Sequence, residues 1–262
     1  MNIVVCIKQV PDTTKVDIDE KTGVLKRAGT ESKLNPFDLY ALETALRLKE
    51  KYGGIVGVIT MGPPGAAEII KEAYATGADH GTLLTDAAFA GSDTLATGYA
   101  LSQGIRRLGT FDLIICGKQT TDGDTAQTGP GVAEFLDIPH VVNATEVIDI
   151  ANGAITLKTD MQDYIYTLSA PLPCLISVEK SVCVPRLPSY KKMTGTADRR
   201  ISVLTLRDMY DTDPDNYGLT GSPTAVRGVF SPETKAGTVR IDGSGEEIAG
   251  FLYEKLKALK FI

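Results

Sequence analysis

The chain has no tryptophan, only two histidines and only four cysteines among its 262 residues. His80 and His140 stand apart from any plausible nucleophile or second ligand, which argues against Ser-His-Asp catalysis and against a zinc centre. The cysteines at 6, 116, 174 and 183 have no C-x-x-C spacing. The first three lie in apolar runs, where a thiol behaves as a small core residue, so a reducing, cytoplasmic setting is expected. Positive charge is short as well: 27 Lys and Arg against 33 Asp and Glu leave a net charge of −6. Such a chain is not built to neutralise a phosphodiester backbone, and no nucleic acid partner is expected. The first residues carry no basic n-region, long apolar helix or cleavage-like site. Neither targeting nor membrane insertion is expected.

What is present is an alternation of strand-like apolar runs with helical periodicity. Ile3 to Ile7, Ile55 to Met61, Thr82 to Leu84 and Phe111 to Cys116 read as strands, the last as a buried parallel one. Helices follow them. Asn35-Pro36 predicts a cap with proline at the first helical position, and Leu39, Leu42 and Leu46 continue at helical spacing to a stop at Gly53. Ala66 to Thr76 ends at Gly77, and a helix capped by Ser92 or Asp93 runs to Leu108 with Gly109 at its end. Between the first strand and Asn35, Val16 to Asp19 and Val24 to Lys26 read as an inserted hairpin. The expected fold class is α/β: a doubly wound, mainly parallel, Rossmann-like sheet with added hairpins.

The most informative segment is Gly117 to Gly131, Gly-Lys-Gln-Thr-Thr-Asp-Gly-Asp-Thr-Ala-Gln-Thr-Gly-Pro-Gly. It joins a strand to a helix predicted over Thr125 to Leu136, at the strand end where open α/β sheets bind ligands. Backbone N–H groups at a helix start can meet phosphate oxygens there, while Thr125, Gln127 and Thr128 offer uncharged hydrogen bonds. The segment therefore reads as a nucleotide cradle. Asp122 or Asp124 can also serve simply as a helix cap.

After Pro139 the helical periodicity gives way to strands at Val141 to Ile150, Ala154 to Lys158, Tyr164 to Leu168 and Leu175 to Val178, expected to flank the sheet as hairpins. Residues 183–200 read as a long exposed loop. Arg186, Lys191, Lys192, Arg199 and Arg200 make it locally basic in an acidic chain. Beyond it, residues 208–242 are rich in Pro, Gly, Thr and Asp and lack a core of their own, and a final helix over Glu246 to Leu259 places Ile248, Leu252, Leu256 and Leu259 near one face. The expected division is an α/β domain over 1–207 and a carboxy-terminal arm over 208–262. The arm either packs on a partner subunit or wraps its own domain.

Four loops follow successive strands or start helices where one ligand could touch them all: Cys6 to Pro11, Asn35 to Asp38, Met61 to Pro64 and Asp122 to Gly131. The Cys6-Ile-Lys-Gln-Val-Pro11 loop is not the Ser-Gly-Gly type of an adenylating or ATP-hydrolysing enzyme. Lys8, Asn35-Pro-Phe37, Met61-Gly-Pro63, the Gly117-Lys-Gln to Gln-Thr-Gly129 run and Leu187-Pro188 together resemble the beta subunit of electron transfer flavoproteins, in order along essentially the whole chain.

That resemblance implies a heterodimer with a larger alpha subunit, an adenine-nucleotide-binding fold and electron carriage by flavin, with no catalytic acid or nucleophile. It implies a nucleotide site made of Cys6, Asn35, Phe37, Asp38, Met61, Asp122, Gly123, Asp124, Thr125, Ala126, Gln127, Thr128 and Gly129, holding FAD or, alternatively, AMP. Phe37 and Tyr40 are expected to reach toward a second flavin. The small residues of Asp122 to Ala126, together with Val10 to Thr14 and Gly91 to Thr97, make the chain similar to the flavin-bifurcating branch. In that branch NADH is the electron donor, and ferredoxin or flavodoxin and an acyl-CoA dehydrogenase are the acceptors. Ser92, Asp93, Thr94 and Thr97 are the expected NADH residues, an ordinary helix cap being the alternative there. Leu187 and Pro188 resemble the apex of a docking loop for the dehydrogenase, with Lys191 and Lys192 as steering charges.

Overall fold

The computed structural model describes residues 1–12, 32–196, 198–228 and 240–262. The hairpin expected over 16–26 lies outside the described residues. Its neighbours pair in antiparallel fashion, β2 (Gln9–Pro11) with β3 (Ser32–Leu34).

A nine-stranded sheet forms the frame. It contains β1 (Asn2–Cys6), β4 (Ile55–Met61), β5 (His80–Leu84), β6 (Leu113–Gly117), β7 (His140–Ala151), β8 (Ala154–Asp160), β9 (Ile165–Pro171), β10 (Cys174–Val178) and β11 (Ser202–Leu204), in the order β11-β5-β4-β1-β6-β10-β7-β8-β9. Every pairing from β11 to β7 is parallel, and β7, β8 and β9 form an antiparallel meander. From β1 the chain builds outward to β4 and β5, then returns to place β6 on the other side of β1. The direction of winding therefore reverses between β1 and β6, and the loops leaving these two strands part to open a crevice.

Strand alternation creates the two covered faces. Ile3, Val5 and Ile7 face one apolar cluster with Leu113 and Ile115, while Val4, Ile114 and Cys116 face the other. Helices α1 (Pro36–Tyr52) and α2 (Ala67–Thr76) cover the first face with Leu42, Leu46, Ile69 and Ile70. Helices α3 (Thr94–Leu108) and α4 (Thr128–Leu136) cover the second with Leu101, Ile105, Val132 and Ala133. Each buried Leu, Ile or Val among them contributes about 1.5–3 kcal/mol. The expected helix signals operate: Pro36 opens α1, Gly53 closes it, and Asp93 caps α3 through Leu95 N and Ala96 N at 2.9 and 3.1 Å.

Four expectations need correction. First, α4 begins at Thr128, not Thr125, and neither Asp122 nor Asp124 caps it; Asp124 and Ala126 have φ of 52° and 55°, which no right-handed helix accommodates. Second, Leu175 to Val178 belongs to no hairpin. All five residues of β10 are buried, and the strand inserts between β6 and β7, parallel to both. Third, the 183–200 segment is not a free loop. It contains a short helix, α5 (Tyr190–Met193), and is bonded to α2 by Ser189 N to Ala75 O at 2.9 Å.

Fourth, the compact unit does not stop at 207. It spans Met1–Arg227, with Met209 and Tyr217 buried in it. The Tyr217 ring packs between Phe89 and Tyr99 at 5.4 and 5.3 Å, and its hydroxyl donates to Asp211 O. Gly218 follows with φ of 58° and passes so close to Ala88 O that a Cβ would stand 2.2 Å from it. The second unit is Gly228–Ile262, and its described part carries α6 (Gly245–Ala258), opened by a capping box between Ser244 and Glu247. No described residue of α6 is buried. Among the described residues, no helix is long and apolar enough to cross a membrane.

Candidate nucleotide site

The site is built from the buried carboxylate of Asp38 outward. Pro36 fixes the start of α1 beside the carboxyl ends of β1 and β6, so Asp38, in the first turn, enters the crevice between the two strands. There it accepts the N–H of Lys8 at 2.8 Å, and the amide of Gly117 and the Asn35 side chain also face it. Gly117 has no alternative: a Cβ there would lie 2.5 Å from Asp38 Oδ1. Burial pushes the Asp38 carboxyl up to about 7, against the lowering effect of the Lys8 amide, Asn35, the Gly117 amide and the Lys8 charge. Burial, then the Asp38 charge, push the neighbouring Cys6 thiol up to about 12, which keeps it neutral.

Asn35 is fully buried and makes no helix cap. Its Nδ2 instead donates to Gln119 O at 3.0 Å, and its Oδ1 accepts from Thr121 N at 3.4 Å. Above it, the Lys8 ammonium closes on Asp122 at 2.7 and 2.9 Å. Partial burial opposes ionisation of Asp122, and the hydrogen bonds from Lys8 and Thr120 together with the Lys8 charge outweigh it, holding the carboxyl below its usual range. Gln119 donates to Asp124 across the turn. The loop after β6 is thus fastened from beneath by α1 and from the side by the loop after β1.

What this fastening presents is an exposed run of backbone. Residues 121–127 are exposed. Ala126, left-handed at φ 55°, is followed by Gln127 in the right-handed region at φ −105° and ψ −22°. Successive residues of opposite hand turn their N–H groups to one side and form an anion-binding concavity. Among the described residues the amides of Thr125, Ala126, Gln127, Thr128 and Gly129 donate to no other group of the chain, and the last two open α4, where the helix dipole adds to the attraction for an anion. A Cβ at Gly123 would meet Thr120 Oγ1 at 3.7 Å, an ordinary contact. Uncharged hydroxyls and free amides fit a nucleotide phosphate.

Of the predicted site residues, Cys6 and Met61 end β1 and β4 half-buried at the rim of this region, and 122–129 form the cradle itself. Asn35 and Asp38 act from below and position the loops. Phe37 is buried, with Lys180 Nζ 4.4 Å from its ring centre. Ser92 donates to Phe89 O at 2.8 Å. Asp93, besides capping α3, accepts from Thr224 N and Thr224 Oγ1 at 3.1 and 2.8 Å. Thr94 Oγ1 reaches Gln127 Oε1 at 3.4 Å, which joins the start of α3 to the cradle. Leu187, Pro188, Lys191 and Lys192 are exposed on the segment that leads into and forms α5. The resemblance lent Lys8 no role; its ion pair supplies one, and its place two residues beyond β1 was the available signal.

Comparison with known proteins agrees with this geometry. Residues 22–209 match the family model described as the electron transfer flavoprotein domain. The chain is 43% identical over its whole length to an electron transfer flavoprotein subunit beta of Clostridium acetobutylicum, itself covered completely. It is 42% identical to the caffeyl-CoA reductase-Etf complex subunit CarD of Acetobacterium woodii, with 98% of each chain covered. It is also 39% identical to protein FixA of Bradyrhizobium diazoefficiens, covering 98% of this chain and 91% of that protein. A mainly parallel α/β sheet, with a matching family model and relatives matched from end to end, places the chain in the electron transfer flavoprotein family, among its beta subunits, whose partner is an alpha subunit.

Proposed function

We propose that this chain holds FAD in the cradle after β6 and, with an alpha subunit, takes a hydride from NADH and divides the electrons. One goes to ferredoxin or flavodoxin, and the other, through a flavin held mainly by the alpha subunit, to an acyl-CoA dehydrogenase. Bound FAD would supply all of the redox chemistry. The chain's own work is placement. The free amides of residues 125–129 take the diphosphate, and Cys6 and Met61 frame the adenosine. The Lys8–Asp122 pair, with Asn35 and Asp38 beneath, holds the loops at fixed separation.

The observation that carries this reading is the run of amides from Thr125 to Gly129 that donate to no other described group, long enough to receive a diphosphate. With Ser92 and Asp93 committed to internal bonds, Thr94, which reaches Gln127, and Thr97 in the first turn of α3 are the residues assigned to NADH. The Acetobacterium woodii relative, named for a CoA-ester reductase complex, supports a CoA-linked acceptor. The exposed apolar side chains of Ile248, Leu252 and Leu259 on and just after α6 are the surface assigned to the alpha subunit.

The test is to purify the chain co-expressed with its alpha subunit and to quantify released FAD and AMP. A second FAD per heterodimer and no AMP supports the proposal. One FAD with one AMP would make this subunit a conventional, AMP-holding carrier component and remove the NADH assignment.

A further inference from the structure

We propose that Glu43 is a positioning residue that clamps the 183–193 segment against α1, presenting Val184, Leu187, Tyr190 and Met193 as one preformed apolar docking face for an acidic-rimmed apolar pocket on a redox partner. The proposal rests on the docking reading given above and specifies how docking is prepared.

Glu43 belongs to α1 yet is only 3% exposed. A carboxylate in that position is costly unless its oxygens are filled, and here both are. Arg186 Nε donates to Oε2 at 2.7 Å, Arg186 Nη2 to Oε1 at 3.3 Å and the Arg186 amide to Oε2 at 3.2 Å. Arg47, one turn further along α1, donates to Oε1 at 2.7 Å and with its other end to Val184 O at 3.1 Å. Arg186 then spans to Glu50, donating at 2.6 and 3.1 Å. Two arginines and two glutamates thus fix both the backbone and the side chain of the segment at 184 and 186. Its far side is fastened to α2 and to the turn after it: Lys192 Nζ donates to Thr76 O at 3.4 Å, and Arg199 donates to Ala78 O and Asp79 O while lying over Tyr74.

Four side chains between these fastenings remain outward. Val184 is 79% exposed, Leu187 87%, Tyr190 80% and Met193 52%, at a regular spacing of three residues. A large apolar residue left in water at every third position of a rigidly held segment is unexplained by folding and fits a recognition surface. The charge beside it selects the partner. Lys191 and Arg200 are exposed there, in a chain of net charge −6, so an acidic rim around an apolar pocket is complementary. Holding the segment in advance removes the ordering cost that a flexible loop incurs on binding.

The experiment compares heterodimers carrying the native chain, Glu43→Gln, Glu50→Gln and Leu187→Ala. Hydrogen exchange of residues 183–193 and steady-state electron transfer to an acyl-CoA dehydrogenase are both read. Glu43→Gln is expected to speed exchange of this segment roughly tenfold or more, and to raise KM for the dehydrogenase with kcat retained. Glu50→Gln, on an exposed side chain that cannot endanger the fold, moves both readouts the same way by less. Unchanged exchange in both variants overturns the clamp. Faster exchange with an unchanged KM, while Leu187→Ala still raises KM, overturns the link between clamp and docking. An unchanged KM in Leu187→Ala as well overturns the docking reading itself.

Discussion

Lys8 and Asp122 stand 114 positions apart in the chain, and their side chains meet at 2.7 Å. The contact joins the loops on either side of the crevice where the sheet changes its direction of winding. With side-chain exposures of 45% and 33%, the pair itself stabilises the fold by no more than about 1 kcal/mol. Its consequence lies in the shape of the cradle. Lys8→Met should leave the melting temperature nearly unchanged and weaken nucleotide retention about fivefold, the equivalent of that same energy applied to binding. Equilibrium dialysis of AMP and FAD against the heterodimer measures this, and equal affinities would show that the pair is ornamental.

Asp38 supplies a pH dependence of definite sign. Its carboxyl is raised from 3.8 to about 7, so between those values the folded chain binds a proton that the unfolded chain releases. Stability from this group is therefore lost as pH rises through that window, by up to about 1.4 kcal/mol per unit. The depressed carboxyls of Asp79, Asp86 and Asp122 act in the opposite sense, and only as pH falls through their own, lower values. Asp38→Asn should remove the decline between pH 5 and 7. It should also lower stability throughout, because the amide turns a donor toward the N–H of Lys8 or Gly117. Thermal melts of both proteins across that range decide the matter, and parallel curves would refute it.

The elements that could be read from sequence are those whose signals are local. Pro36 and Gly53 bracket α1, Asp93 caps α3, and the period-two alternation of Ile3, Val4 and Val5 marks a strand with two covered faces. The turn proposed as the cradle was legible for the same reason, being glycine- and threonine-rich between a strand and a helix. What could not be read depends on distant neighbours. β10 shows its burial in its composition but not that β6 and β7 receive it. β11 is three residues long and exists because β5 offers it an edge. Asn35 resembles a helix cap, and only residues 84 positions away turn its side chain to the cradle loop. Glu43 resembles a solvated helix residue until Arg186, 143 positions on, closes over it.

Tyr217 anchors the last stretch of the compact unit, which runs to Arg227. It is 1% exposed, between two aromatic rings. Tyr217→Ala should cost about 3–5 kcal/mol, visible as a lower denaturant midpoint of the chain. Truncation separates the same residues from α6. A chain ending at Arg227 keeps Tyr217 and should melt as the full chain does but fail to co-purify with the alpha subunit. A chain ending at Arg207 should be unstable by itself. If the shorter chain melted normally, the packing of 209–222 would contribute nothing, and if the longer one still bound its partner, α6 would not be the contact.

Lys191 and Lys192 are neighbours of identical chemistry with different surroundings. Lys192 donates to Thr76 O and helps to hold α5 on α2, whereas the Lys191 ammonium pairs with no group among the described residues. A charge that pairs with none of the described residues acts at a distance, on the rate of encounter and not on the lifetime of the complex. Lys191→Glu should therefore slow association with the dehydrogenase, most strongly at low ionic strength, and leave dissociation unchanged. Lys192→Glu should slow association and also loosen the segment, which adds faster dissociation and faster hydrogen exchange at 189–193. NADH oxidation by an artificial acceptor should be spared in both. Stopped-flow measurements at two salt concentrations distinguish the two lysines, and identical behaviour would mean that the bond to Thr76 has no part in docking.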